Sequence, residues 1–119
     1  MKNTLILGHG RNYTERDIWC SPIPVNEWIS NDFVCVDNDI ACCPDILFDL
    51  KHKEWDIFSN NIKFDIIIDT CGGVFSRNRN YSSFFLRNIL NILSHDGTFY
   101  GNNFTASARY LKENLNLSS

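Results

Sequence analysis

The hexapeptide Phe64-Asp65-Ile66-Ile67-Ile68-Asp69 constrains the fold more than any other stretch of this chain. Its consecutive β-branched residues favour an extended backbone, where the branched side chain packs well against its neighbours. The run is apolar on both faces, so a strand made from it must be covered on both. That is the condition of a strand at the centre of a parallel sheet. Parallel strands need long crossover connections, so the rest of the chain has to alternate strands with helical segments.

The remaining pattern meets that demand. Residues 4–7 are short, apolar and closed by Gly8, which reads as a buried strand. Residues 33–36 read as a second strand, and 45–50 as a short third one centred on Ile46, Leu47 and Phe48. The spacing of Tyr81, Phe85, Ile89 and Ile92, with Leu86, Leu90 and Leu93 beside them, predicts a helix over 81–93 that His95-Asp96-Gly97 ends. A last strand is expected over 98–102 and a terminal helix over 105–115. Residues 51–60 are polar, with Trp55 and Phe58 at a helical spacing. Between the first two strands, 13–19 and 25–29 suit short helical pieces separated by Pro22 and Pro24. The expected fold is α/β: one domain with a mostly parallel sheet of about five strands and helices on both faces.

Composition narrows the context. A chain of 119 residues with 44% hydrophobic content is one domain with a sizeable core. No apolar run approaches the ~18 residues of a membrane-spanning helix, so no membrane partner is expected. The N-terminus lacks a basic segment followed by an apolar region and a cleavage site, so secretion is not expected. The net charge of −3 gives no electrostatic ground for tight nucleic-acid binding, although Arg77 and Arg79 lie close together. Cys20, Cys35, Cys42, Cys43 and Cys71 are odd in number and include no Cys-x-x-Cys pair. They read as reduced thiols in a cytoplasmic setting, and the spacing of Cys42, Cys43 and His52 does not support a zinc site. The abundance of Asn and Ile is what an AT-rich genome writes, a virus's or a parasite's, and carries no chemistry.

Two features carry candidate chemistry. Leu5-Ile6-Leu7-Gly8-His9-Gly10 is an apolar run ending in a Gly-x-Gly turn, and Phe33-Val34-Cys35-Val36 ends in Asp37 followed by Asn38. Glycines let a backbone approach a nucleotide closely, and an acid after the next strand can accept hydrogen bonds from ribose hydroxyls. Each has a plainer reading. Gly8 and Gly10 also suit a bare strand-to-helix turn, His9 a solvated turn, and Asp37 a cap for Asn38 and Asp39. Asp49 can cap a helix that starts at Lys51. Asp69 can bind an amino group, orient a substrate or cap Thr70-Cys71-Gly72. Cys71 reads as a small buried thiol. Arg77, Arg79 and Asn80 read as a solvated loop, and Trp19, Trp28 and Trp55 as core or interface residues rather than stacking platforms.

Taken in order, these segments resemble the class I S-adenosylmethionine-dependent methyltransferases, over about residues 4–104. Leu5 to Asn12 is similar to the family's first motif and Val36-Asp37 to its second. Pro44-Asp45-Ile46-Leu47-Phe48-Asp49-Leu50 is similar to the third strand, residues 64–70 to the fourth motif, and His95-Asp96-Gly97-Thr98 to the turn into the fifth strand. The resemblance implies a Rossmann-like sheet with S-adenosylmethionine as cofactor. It implies that Gly8, His9, Gly10, Asp37, Asn38, Asp49 and Asp69 bind the cofactor, with Asp37 on the ribose and Asp49 on the adenine amino group. Asp69 would also be the reaction-side residue, and the loop 72–80 would border a methyl acceptor of unknown identity. Ending at Ser119, before the family's last two strands, the chain is expected to be a minimal or C-terminally truncated member.

Two other functions fit the same residues. One is a catalytically degenerate fold that binds a protein partner or forms a homodimer, with an exposed sheet edge as the contact. The other is a nicotinamide-dinucleotide binder, which Gly8, Gly10 and Asp37 allow but Tyr13, standing in place of the third glycine, does not favour.

Overall fold

The computed structural model describes residues 4–8, 33–58, 62–70, 76–77, 80–101 and 104–117. In chain order its strands are β1 (Thr4–Leu7), β2 (Phe33–Asp37), β3 (Ile46–Leu47), β4 (Phe64–Asp69), β5 (Ser76–Arg77) and β6 (Asn80–Tyr81). Helix α1 (Ser83–Ile92), strands β7 (Leu93–Gly101) and β8 (Phe104–Ser107), and helix α2 (Ala108–Leu117) follow. Six strands form one sheet in the order β3-β2-β1-β4-β7-β8, and β5 and β6 form a separate antiparallel ribbon. The sheet is parallel from β3 through β7, and β8 returns antiparallel to β7.

The most apolar runs take the centre. Leu7 of β1 lies opposite Val36 of β2 and Asp69 of β4, so these strands end level with one another. Alternation then sorts the side chains into two layers. Leu5, Leu7, Ile67 and Phe99 join the larger core with Phe85, Ile89 and Ile92 of α1 and Leu111 and Leu115 of α2. Ile6 and Ile68 are fully buried on the opposite face with Phe33, Cys35, Ile66 and Tyr100. Each such Leu, Ile or Phe contributes about 1.5–3 kcal/mol by leaving water. Both described α-helices therefore pack on one face. The helical pieces expected over 13–19 and 25–29 lie outside the described residues.

Helix α1 starts where Ser82, in an extended conformation, accepts a hydrogen bond from the Phe85 amide at 3.3 Å. Phe85, Ile89 and Ile92 make its buried stripe. The helix ends at Leu93, which passes directly into β7. The glycine turn expected to end it falls inside β7 instead. Phe64 pairs with Leu93 and Ile66 with Thr98, so the chain bulges between these pairs. A side chain at Gly97 would come within 2.6 Å of Leu93, so glycine is what lets the bulge fold tightly.

The C-terminal region differs from its expected form. Phe104–Ser107, expected to open a helix, is a sixth strand in register with β7, with Gly101 opposite Phe104. Helix α2 begins only at Ala108, where the Ser107 hydroxyl accepts from the Tyr110 amide at 3.1 Å. The helix expected over 51–60 is also not found among the described residues, where 50–58 run through turns. The indole N–H of Trp55 donates to the carbonyls of Leu50 and His52, each at 3.1 Å. Asp49 accepts from the Lys51 amide at 3.0 Å, which favours a turn over a helix. Trp55 and Phe58 are nonetheless buried core residues. No described helix is long and apolar enough to cross a membrane.

Candidate functional site

The strand order reverses at β1. The chain steps from β1 to β2 and β3 on one side, then returns to β4 on the other. In open α/β sheets, ligands bind outside the carboxyl ends of the strands where such a reversal opens a crevice. Here that edge carries Gly8 after β1, Asp37 at the end of β2, and Asp69 and Thr70 at the end of β4.

Gly8 has φ 65°, the left-handed region that suits glycine, and its amide donates to the Val36 carbonyl at 2.8 Å. On the other side of β1, the Thr70 amide donates to the Leu7 carbonyl at 3.1 Å. The Thr70 hydroxyl lies 2.8 Å from both the Leu7 and Gly8 carbonyl oxygens. The glycine turn is thus held from β2 and from β4 at once.

Asp37 is buried, and its Oδ1 accepts from the Asp39 amide at 3.1 Å. Its carbonyl accepts from Phe48 at 3.0 Å, which carries the β2–β3 pairing to the edge. Asn38 is exposed beside it. Asp39 in turn accepts from the Ala41 amide at 2.9 Å and caps the 3-10 turn Ile40–Cys42. Asp49 sits just past β3, half-buried, with Oδ1 on the Lys51 amide. The capping reading of Asp37 is therefore realised, Asp49 caps a turn rather than the expected helix, and each carboxylate still stands at the carboxyl edge.

Asp69 has no exposed surface. Its Oδ2 accepts a 2.6 Å hydrogen bond from the hydroxyl of Tyr81, the residue that closes the β5–β6 ribbon. The Tyr81 ring stacks on Phe85 at 5.2 Å and meets Phe99 edge-on at 5.4 Å. A side chain at Gly101 would come within 2.6 Å of the Tyr81 hydroxyl, so the end of β7 forms one wall of its slot. Sequence reading assigned Tyr81 to a helix face and passed over Thr70 as a site residue. Tyr81's partner is 12 residues away and Thr70's Gly8 contact 62, and no local pattern reports such pairings.

His9, Gly10, Cys71 and Arg79 lie outside the described residues. Arg77 and Asn80 pair across the ribbon. Among the described residues, no three His, Cys, Asp or Glu side chains gather as a metal site. Cys42 is buried and Cys43 exposed. Cys35 lies on the second face of the sheet. Its amide donates to Asp45 at 2.8 Å, and burial, with the Asp45 charge second, pushes its thiol up to about 12.

This edge carries the half-buried carboxylate of Asp49, the buried ones of Asp37 and Asp69, and the backbone of Gly8. It can accept hydrogen bonds from hydroxyl or ammonium groups. No protein-family model matches the chain, and no curated protein matches it.

Proposed function

We propose that this chain is an S-adenosylmethionine-binding, methyltransferase-like domain with a Rossmann-like sheet. The observation that carries the reading is the row formed by left-handed Gly8 after β1, Asp37 closing the adjacent β2 and Asp69 closing the adjacent β4. The parallel strand order β3-β2-β1-β4 is the 3-2-1-4 order of a doubly wound nucleotide-binding sheet across its switch point, and it supports the same reading. The chemistry of the edge agrees. S-adenosylmethionine offers ribose hydroxyls, an ammonium and a sulfonium.

In this reading Gly8 lets the backbone approach the cofactor, Asp37 accepts from the ribose, and Asp49 accepts from the adenine amino group. The cofactor supplies an electrophilic methyl carbon, so the protein's work is binding and alignment rather than a fixed catalytic triad. The acceptor lies on the side of the ribbon that follows β4. A cytoplasmic location belongs to the same proposal.

A second reading is binding without turnover, as an interaction or oligomerisation module. One observation favours it: Asp69, the expected reaction-side carboxylate, has no exposed surface. A nicotinamide dinucleotide is the weaker choice, because Tyr13 stands in place of the third glycine of that fingerprint.

Isothermal titration of the purified chain with S-adenosylmethionine and S-adenosylhomocysteine tests the proposal. One-to-one binding in the micromolar range is expected. A folded sample that binds neither overturns it, and tight binding followed by no methyl transfer to any acceptor supports the second reading.

A further inference from the structure

We infer that Tyr81 meets the methyl acceptor, and that the Tyr81–Asp69 pair receives the proton of an acceptor O–H or N–H. The inference rests on the S-adenosylmethionine reading and adds to it a residue and a substrate class. Acceptors that need no deprotonation, such as thioethers, fall outside that class.

Asp69 cannot do this alone, since no part of it is exposed. Tyr81 is half-buried, and its hydroxyl is 2.6 Å from Asp69 Oδ2. A hydrogen bond of that length onto a carboxylate is of the strong, charge-assisted kind. It links the buried carboxyl group to a residue that is itself half-buried. Burying a carboxylate costs several kcal/mol unless it is well partnered, and a neutral side chain would fill the end of β4 without that cost.

The pair is also held in place. Phe85, Phe99 and Phe104 surround the Tyr81 ring, with centroids at 5.2, 5.4 and 5.7 Å. Gly101 leaves room for the hydroxyl where any side chain would displace it. Fixed aromatic walls hold the hydroxyl on Asp69, which closes β4 level with Leu7 of β1.

The proton accounting closes on these two residues. The acceptor's proton passes to Tyr81 Oη as the Tyr81 proton passes to Asp69 Oδ2. The acceptor's electron pair takes the methyl carbon, and the carbon–sulfur pair stays on sulfur, leaving a neutral thioether. One proton remains on Asp69 and returns through Tyr81 to water after the product leaves.

The probes are S-adenosylhomocysteine and sinefungin, the analogue in which an amine stands where the transferred methyl would be. The amine, as an ammonium, reports on a proton-accepting pair facing that position. Wild type is expected to prefer sinefungin, and Tyr81→Phe to cut its affinity about tenfold relative to that for S-adenosylhomocysteine. Gly101→Ala retains every polar group and displaces the hydroxyl, so it is expected to shift the ratio the same way. It keeps the test decisive should Tyr81→Phe fail to fold. An unchanged ratio, with S-adenosylhomocysteine still bound, overturns this inference alone. A folded wild type that binds neither ligand overturns it together with the cofactor reading.

Discussion

The hydroxyl of Thr70 reaches the carbonyl oxygen of Gly8 across 2.8 Å, joining residues 62 apart in the chain at the point where the strand order reverses. It also lies 2.8 Å from the Leu7 carbonyl, so one hydroxyl serves the last carbonyl of β1 and the first of the turn. Thr70→Val keeps the shape and removes the donor. It is expected to cost about 0.5–1.5 kcal/mol in urea unfolding, the net range for one intramolecular hydrogen bond, since the Leu7 carbonyl keeps the Thr70 amide. Thr70→Ser is expected to recover most of that, and a loss in Thr70→Ser with none in Thr70→Val would show that the methyl group rather than the hydroxyl matters.

Asp37 stands at the end of β2 with one carboxylate oxygen on the Asp39 amide. Asp37→Ala is expected to weaken S-adenosylhomocysteine binding at least tenfold by calorimetry, with the circular dichroism spectrum unchanged. An affinity equal to wild type would remove Asp37 from the site and leave it as a turn cap.

Cys35 supplies a pH dependence. Its thiol is pushed from 9.0 up to about 12, by burial first and by Asp45 second. The folded chain therefore holds this proton where the unfolded chain has lost it. The resulting stability is complete below about pH 9 and is lost as pH rises through the window from 9.0 to 12. At pH 8 a disulfide-exchange reagent is expected to modify exposed Cys43 well before Cys35, as peptide mapping would show. Rapid labelling of Cys35 in the folded chain would contradict its burial.

Trp55 is buried, with its indole N–H on two carbonyls and its ring edge-on to Phe85 at 5.3 Å. Trp55→Ala is expected to cost about 3–5 kcal/mol, from lost burial and the cavity left behind. Trp55→Phe should cost less, because it keeps an aromatic ring and most of the volume while losing the N–H and part of the buried ring. The check is the midpoint of thermal unfolding, followed by circular dichroism.

Several elements were legible in the sequence. The strands at Thr4–Leu7 and Phe64–Asp69 have the expected limits, because an apolar β-branched run bounded by polar or glycine residues has few other ways to be buried. Helix α1 covers Ser83–Ile92 within the expected 81–93, since Ser82 and the stripe of Phe85, Ile89 and Ile92 are local signals. The positions of Gly8, Asp37 and Asp69 at strand ends were legible for the same reason. Phe104–Ser107 and residues 51–58 were not. The hairpin with β7 recruits the first into the sheet, and the indole of Trp55 turns the carbonyls of the second inward.

By itself, then, the sequence determined which segments are extended or helical and which residues end the central strands, because side-chain branching and polar periodicity act over a few residues. The tertiary structure alone decided that Thr70 holds the Gly8 turn, that Tyr81 rather than solvent faces the Asp69 carboxylate, and that the sheet ends in an antiparallel sixth strand. Those outcomes depend on groups far apart in the chain. Their meeting is fixed by the packing of the whole sheet, which no short window of residues encodes.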